Sequence, residues 1–292
     1  MRRFALIVNP VAAGGRTLRA LPHVQAALGG HGIAHRTQTT RSLEHAAELA
    51  RAARQAGEVA VAFGGDGLVG AVAGALAHTD GVLGVLPGGR GNDFARGLGI
   101  PLSPRAACEV LRSGPVRRLD LARAGSRTFV GIASCGLDSD ANRIANQARF
   151  VRGKLVYVYG ALRALVGWTP AEFTLSLDDG AEARTVIGYS VAAANSRAYG
   201  GGMLLAPDAS LEDGRLDVVI ISDMAKLRLL RLLPTVFSGA HVRERGVEVL
   251  HARRLMLSAD RPFTLYADGD PLGELPVTVT ALPAAIQVIA PR

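Results

Sequence analysis

Two glycine-rich turns in the first third of the chain have the composition of a phosphate cradle. Gly64-Gly65-Asp66-Gly67 closes the apolar run Val59–Phe63, and Gly88-Gly89-Arg90-Gly91-Asn92-Asp93 closes Val82–Pro87. Each follows a short β-type run and precedes a helical pattern. That places bare backbone N–H groups at a helix start, where anions bind well. Two such turns on neighbouring strands can hold an extended polyphosphate, so the chain is expected to handle a nucleotide. A carboxylate among glycines, Asp66, sits beside phosphates only with a cation such as Mg²⁺ between them, or it locks the loop. Asn92 and Asp93 stand where the next helix begins and have the side chains of an N-cap. Arg90 can take a phosphate bidentately. A plain turn is the alternative reading of each segment taken alone, and neither is a Walker A loop, because no Gly-Lys-Ser/Thr follows.

Two acidic turns come late. Asp208–Asp217 reads as a tight loop between strands, and main-chain carbonyls around Asp213 can complete an oxygen cage for a hard cation; an Asp-Gly hairpin is the simpler alternative. Tyr266-Ala267-Asp268-Gly269-Asp270 ends a strand with two carboxylates flanking a glycine. One of them can accept the proton of an alcohol as it attacks a phosphoryl group.

The elements that must position these residues fall into two textures. Over the first 120 residues, Phe4–Val8, His35–Thr40, Val59–Phe63 and Val82–Leu86 read as strands. They alternate with helical spacing over Thr17–Gly29, Ser42–Gln55 and Leu68–Ala77. That alternation predicts a parallel sheet with crossover helices, whose ligands bind at the carboxyl ends of the strands. From about Leu119 the runs shorten and turn residues multiply, through Arg127–Ile132, Glu172–Leu177, Thr185–Ala193, Leu216–Ile221, Phe263–Ala267, Val277–Thr280 and Ala285–Ile289. This predicts an antiparallel sandwich or barrel. The expected domains are therefore 1–122, a nucleotide-binding α/β domain, and 123–292, a β-sandwich substrate domain. Two segments of the second half, Ala141–Trp168 and Lys226–Gly239, are helical in spacing and mix Arg and Lys with large apolar residues. They suit an anionic bilayer surface, or a helix packed on the sandwich with a solvated basic face.

Composition narrows the function classes. The 292 residues carry a formal net charge of +8, which suits an acidic partner such as nucleotide phosphates or an anionic membrane. An aromatic fraction of 5% argues against base-stacking platforms, so no nucleic-acid partner is expected. Two cysteines, Cys108 and Cys135, are too few for a disulfide scaffold and fit a reduced, cytoplasmic setting. No stretch approaches the ~18 apolar residues of a spanning helix.

Together the motifs resemble the bacterial lipid kinases with a diacylglycerol-kinase catalytic domain, relatives of sphingosine kinases and distantly similar to NAD kinases. The likeness runs nearly end to end. It rests on Val8-Asn9-Pro10 with Gly14-Gly15, on Gly64–Gly67, and on Leu86-Pro87 with Gly91-Asn92-Asp93-Phe94-Ala95-Arg96. Further along it rests on Gly200-Gly201-Gly202 with Ala206-Pro207, Asp213-Gly214, Leu216-Asp217 and Asp268-Gly269-Asp270.

The resemblance implies a Rossmann-like α/β N-terminal domain with a parallel sheet, followed by an antiparallel β-sandwich, with ATP held between them and transferred to a lipid alcohol, diacylglycerol above all. It implies Asp270 as general base, and Asp66 and Asp93 as the residues that shape the metal and phosphate site. ATP contacts would come from Asn9, Thr40, Gly64, Gly65, Asp66, Gly67, Gly89, Arg90, Gly91 and Asn92. A structural Mg²⁺ would lie at Asp213 with Ser210 and Arg215. The enzyme would work in the cytoplasm, peripherally at the inner membrane surface, and a homodimer stays open. A soluble-substrate kinase acting on NAD and a non-catalytic lipid- or nucleotide-binding relative are the alternatives. Four positions depart from the family pattern. Leu68 replaces a Thr, Gly70-Ala71 replace Asn-Glu, Arg90 stands where Thr or Ser is usual, and Asp270 replaces a Glu one methylene longer.

Overall fold

The computed structural model describes residues 2–30, 32–148, 155–179 and 182–292. The chain divides into two compact units. Unit 1 comprises Met1–Leu121, Thr128–Val130 and Leu282–Arg292; unit 2 comprises Ala122–Arg127 and Gly131–Ala281. The second domain expected over 123–292 therefore gives up its last residues. The apolar end of the final strand pairs in parallel with Val82 and Leu83 instead.

Unit 1 alternates β1 (Phe4–Val8), α1 (Arg16–Gly30), β2 (His35–Thr39), α2 (Leu43–Gln55), β3 (Val59–Gly64), α3 (Asp66–Leu76) and β4 (Val82–Pro87), then α4 (Asp93–Gly97) and α5 (Pro104–Ser113). The strands run parallel in the order β4-β3-β1-β2. Every residue of β1 and β3 is buried, as in a sheet covered on both faces. The chain steps to one side from β1 to β2 and to the other from β2 to β3. The order thus reverses between β1 and β3, the switch point at which open α/β sheets bind ligands. Ser42 caps α2 by accepting the N–H of His45 at 3.1 Å.

Past β5 (Val116–Ala124) and β6 (Arg127–Phe129), unit 2 is built of mainly antiparallel strands. They are β7 (Ile132–Gly136), β8 (Ala171–Leu177), β9 (Arg184–Ala194), β10 (Leu216–Ser222), β11 (Val247–Ala252), β12 (Arg254–Ala259), β13 (Thr264–Ala267), β14 (Asp270–Glu274) and the first half of β15 (Val277–Ile289). Strand β9 carries the sandwich. Its first half pairs with β8, and its second half with β7 and β10. The change falls at Gly188, where an added Cβ would meet the carbonyl oxygen of Ile221 at 2.5 Å. Glycine at that point lets the strand pass between layers. Between β7 and β9 and under β10 lies a core of Ile132, Ala192, Ala194, Leu205 and Val219.

The helix expected over 141–168 is two helices, α6 (Leu137–Gln147) and α7 (Leu155–Gly167). They approach closely at Gly160, where a Cβ would meet the carbonyl oxygen of Ala141 at 2.3 Å. Arg149, Arg152 and Lys154 lie outside the described residues. The helix expected over 226–239 is shorter. α8 (Lys226–Leu232) gives way to a 3-10 turn over Leu233–Phe237, where Pro234 removes a backbone donor. Leu229 and Leu232 are buried, while Leu227 is 62% exposed. No described helix is long and apolar enough to cross a membrane.

Candidate active site

Asn9, Thr40, Gly65 and Gly88 directly follow or end β1, β2, β3 and β4, so four adjacent strand ends share the carboxyl edge of the parallel sheet. Asn9 donates its backbone N–H to the Phe63 carbonyl at 3.1 Å, and its side-chain oxygen accepts the N–H of Val11 at 3.1 Å. The buried Thr17 hydroxyl donates to the Asn9 carbonyl. Thr40 is buried and donates its hydroxyl to the Ser42 carbonyl at 2.5 Å, which shapes the entry to α2. Gly65 precedes α3, whose first turn begins at Asp66 and Gly67 and aims its N–H groups at this edge.

The second glycine turn works differently from the sequence expectation. The N–H groups of Gly88 and Gly89 both donate to the Gly64 carbonyl, at 2.7 and 3.0 Å. The two turns are thereby clamped backbone to backbone. A Cβ on Gly89 would meet the Gly65 Cα at 2.4 Å, and one on Gly88 would meet the Thr17 methyl carbon at 2.3 Å. Asn92, in the left-handed region at φ +54°, does not cap α4. Its side chain turns back on Gly89, accepting that N–H at 2.7 Å and donating to that carbonyl at 3.0 Å. Asp66, at the start of α3, supplies the cap from a distance. One oxygen accepts the N–H of Phe94 at 3.0 Å, and the N–H groups of Asp93 and Asn92 also favour its charged form. Burial outweighs them and raises the Asp66 carboxyl above its ordinary range. Asp93 is 8% exposed, and Gly91 lies against both carboxylates: a Cβ there would meet Asp93 Oδ2 at 2.8 Å and Asp66 Oδ2 at 3.3 Å. Arg90, at the tip, is exposed.

Two carboxylates flank Gly269 in unit 2, and their surroundings separate them. Asp268 and Gly269 have φ of +53° and +95°, the two positive angles of a tight hairpin turn between β13 and β14. Asp268 accepts the N–H of Gly131 at 2.9 Å, which pins the hairpin. Asp270 lies past the turn. Burial raises its carboxyl, and the Arg127 guanidinium, which donates to the Pro271 carbonyl at 2.7 Å, opposes that rise.

In the Asp208–Asp217 loop, Asp213 accepts the N–H of Arg215 at 3.0 Å, and the Ser210 hydroxyl accepts the N–H of Glu212 at 3.1 Å. Asp217 is buried, and His251 Nδ1 lies 2.7 Å from one of its oxygens. The other has no partner among the described residues. Burial raises its carboxyl, with Asp213 and Asp208 adding to the effect. An orphaned buried carboxylate oxygen beside two more acids fits a hard cation. No described cluster of three or more acidic, His or Cys side chains forms a metal site by itself, so such an ion needs main-chain carbonyls and water as well.

Sequence reasoning did not single out Asp138 or the role of Arg127. Asp138 opens α6 directly behind β7, accepts a hydrogen bond from Ser190, and is pushed up to about 6 by burial. Its other oxygen has no partner among the described residues. An acid in the first turn of a helix is ordinary, so nothing in the sequence marked this one as buried.

Two known families account for nearly the whole chain. The diacylglycerol kinase catalytic domain matches residues 3–124, and the YegS C-terminal NAD kinase beta sandwich-like domain matches 131–290. The chain belongs to the bacterial lipid kinase family. A diacylglycerol kinase of Mycobacterium tuberculosis is 35% identical, over 98% of this chain and 94% of its own length. One of Bacillus subtilis is 28% identical, over 100% and 97%. A crystal structure of a Bacillus anthracis diacylglycerol kinase superposes with a TM-score of 0.74, covering 99% of this chain and 97% of its own at 18% identity, and bears on the fold alone. The two-part architecture is that of the family, and the chain is a lipid kinase with ATP as phosphate donor.

Proposed function

We propose that this lipid kinase phosphorylates diacylglycerol, giving phosphatidic acid. The bond from the γ-phosphorus to ADP breaks, a bond from the lipid hydroxyl oxygen to that phosphorus forms, and the hydroxyl proton passes to Asp270. The observation that carries the reading is the division of labour on the β13–β14 hairpin. Asp268 is held by Gly131, while Asp270 has a carboxyl raised by burial, which strengthens it as a base.

Unit 1 serves the donor. The first turn of α3 offers N–H groups to phosphate, and Asn9, Thr40 and the Gly64–Gly67 turn frame the nucleotide at the sheet's switch point. The Gly88–Asn92 turn holds the first turn in place, and Arg90 and Asn92 complete its rim. Bound Mg²⁺ would neutralise phosphate charge near Asp66 and Asp93; at the Asp213 loop, with the carbonyls of Ser210 and Arg215, it would serve structure. Such transfer depends on positioning and charge neutralisation.

The acceptor lies in a bilayer, so the enzyme works peripherally on an anionic membrane at the cytoplasmic face, using its basic helices. Two exposed residues of α7, Leu162 and Val166, and Leu227 of α8 supply apolar contact, and Lys226 Nζ donates to the Val166 carbonyl at 3.3 Å. The test is phosphate transfer from labelled ATP to a panel of lipid alcohols and to NAD, comparing wild type with Asp270→Ala. Labelling of diacylglycerol by wild type and its loss in the variant are expected. Labelling of NAD alone, or undiminished transfer by the variant, would refute the proposal.

A further inference from the structure

Unit 2 holds a cavity of about 390 Å³ that the reaction above does not use. Ser139, Asp140, Arg143, Trp168, Arg261 and Tyr266 line it. Asp270 does not. Tyr266 and Ala267 are successive residues of β13, and Asp270 pairs with Ala267, so Tyr266 and Asp270 face opposite sides of the hairpin.

The donors in this cavity exceed the acceptors. The Arg261 guanidinium lies 5.6 Å from the Trp168 ring centre and 5.2 Å from that of Phe263. Backbone carbonyls of Thr169 and Pro170 hold it at 2.5 and 3.3 Å. Its nearest carboxylate among the described residues is Asp260, at 3.9 Å. Arg143 is paired with Asp140 at 3.1 Å, which leaves the Arg261 charge as the cavity's surplus. Trp168 is 7% exposed, and its indole N–H is buried without an acceptor among the described residues. An orphaned donor beside a fixed, uncompensated guanidinium calls for an anionic oxygen ligand.

The rim says what that anion is attached to. Gly167 and Trp168 line the cavity, and the residue before them, Val166, is 74% exposed. Leu162, one helical turn earlier, is 45% exposed. Lys226, hydrogen-bonded to the Val166 carbonyl, brings Leu227 to the same rim. A polar seat for a phosphate, bordered by exposed apolar side chains and a lysine, matches a phospholipid whose head enters the protein while its chains remain in the bilayer. A volume of this size takes a phosphoglycerol head but not two acyl chains.

We propose that this cavity is a second lipid seat, which takes the phosphate head of an anionic phospholipid, separate from the acceptor site at Asp270. It goes beyond the phosphorylation reading. Under that reading, the product is itself such a lipid, so turnover would hold the enzyme at the surface it has just charged.

Trp168 is the only tryptophan in the chain, so its fluorescence reports the seat directly. The full chain is titrated, below the micelle concentration and without ATP, with dihexanoyl phosphatidate, dihexanoyl phosphatidylcholine and inorganic phosphate. A saturable emission change with phosphatidate is expected, with the other two binding far more weakly. Arg261→Gln should weaken phosphatidate at least about tenfold, as expected for losing a charge-assisted donor. Arg261→Lys should fall between. Asp270→Ala should bind as wild type while transferring nothing, which separates this seat from the acceptor site. An equal response to phosphatidylcholine, inorganic phosphate matching phosphatidate, or loss of the response in Asp270→Ala would each overturn the proposal. If Arg261→Gln does not fold, the selectivity of the wild type among the three probes decides alone.

Discussion

Gly89→Ala tests whether the two glycine turns are one device. A Cβ at this position would sit 2.4 Å from the Gly65 Cα, about 1 Å inside the closest ordinary contact. The obstructing atom is backbone, so no side chain can swing aside. The turns must separate, and separation breaks the hydrogen bonds from the Gly88 and Gly89 N–H groups to the Gly64 carbonyl. Two lost hydrogen bonds cost roughly 2 kcal/mol, and overpacking adds roughly 1–3, for about 3–5 kcal/mol in all. That is a large part of the ~5–15 kcal/mol that holds a domain together. Urea unfolding followed by circular dichroism measures it, and the KM for ATP should rise in whatever fraction folds. Gly97→Ala is the control. It lies within α4, is exposed, and has nothing within 4 Å of a new Cβ. There alanine should add about 0.5–1 kcal/mol through helix propensity. A Gly89→Ala protein within ~0.5 kcal/mol of wild type, with an unchanged KM for ATP, would refute the clamp.

Two further predictions concern carboxylates of unit 2. Asp270 must be ionised to accept a proton, so kcat should rise with pH through a midpoint above the ordinary carboxylate range. Arg127 opposes the rise in the Asp270 carboxyl, so Arg127→Gln should move that limb to higher pH, and an unmoved limb would remove Asp270 from the role of base. Asp138 is raised from 3.8 to about 6. Its contribution to stability is therefore fully present below pH 3.8 and lost as pH rises to about 6, and ionisation costs up to roughly 3 kcal/mol at pH 7. Asp138→Asn should be more stable than wild type at pH 7 and close to it at pH 4; equal unfolding midpoints in urea at both pH values would show that the carboxylate is not buried as described.

What the sequence made legible was set by periodicity and by glycine. Continuous apolar runs at Phe4–Val8, Val59–Phe63 and Val82–Leu86 could belong only to doubly covered strands, and they are β1, β3 and β4. Turn residues marked the second half as short strands, but not that Val277–Ile289 is one strand. Its middle residues, Ala281–Ala284, interrupt the apolar pattern, and the pairing partner of its far end is long-range. Asn92 looked like a helix cap because its position is that of a cap. The true cap, Asp66, lies 26 residues earlier, and no local pattern could report that contact. The same holds for Asp268 and Asp270, equivalent in spacing and distinguished only by the distant Gly131.

The departures from the family pattern follow a physical rule. Leu68, where the family has a hydroxyl, is 2% exposed, and a Cβ on Gly64 would meet one of its methyl carbons at 2.7 Å. The lost polar contact is thus replaced by packing that holds the turn from within. Arg90 is exposed at the tip and adds charge without disturbing the clamp beneath it. What the backbone does, in the N–H groups of the α3 first turn and the Gly64 carbonyl between Gly88 and Gly89, is untouched by either change. Asp270 is the one departure at a reacting group. There one methylene sets the distance over which a proton must move, so Asp270→Glu should retain transfer, whereas Asp270→Ala should lose it.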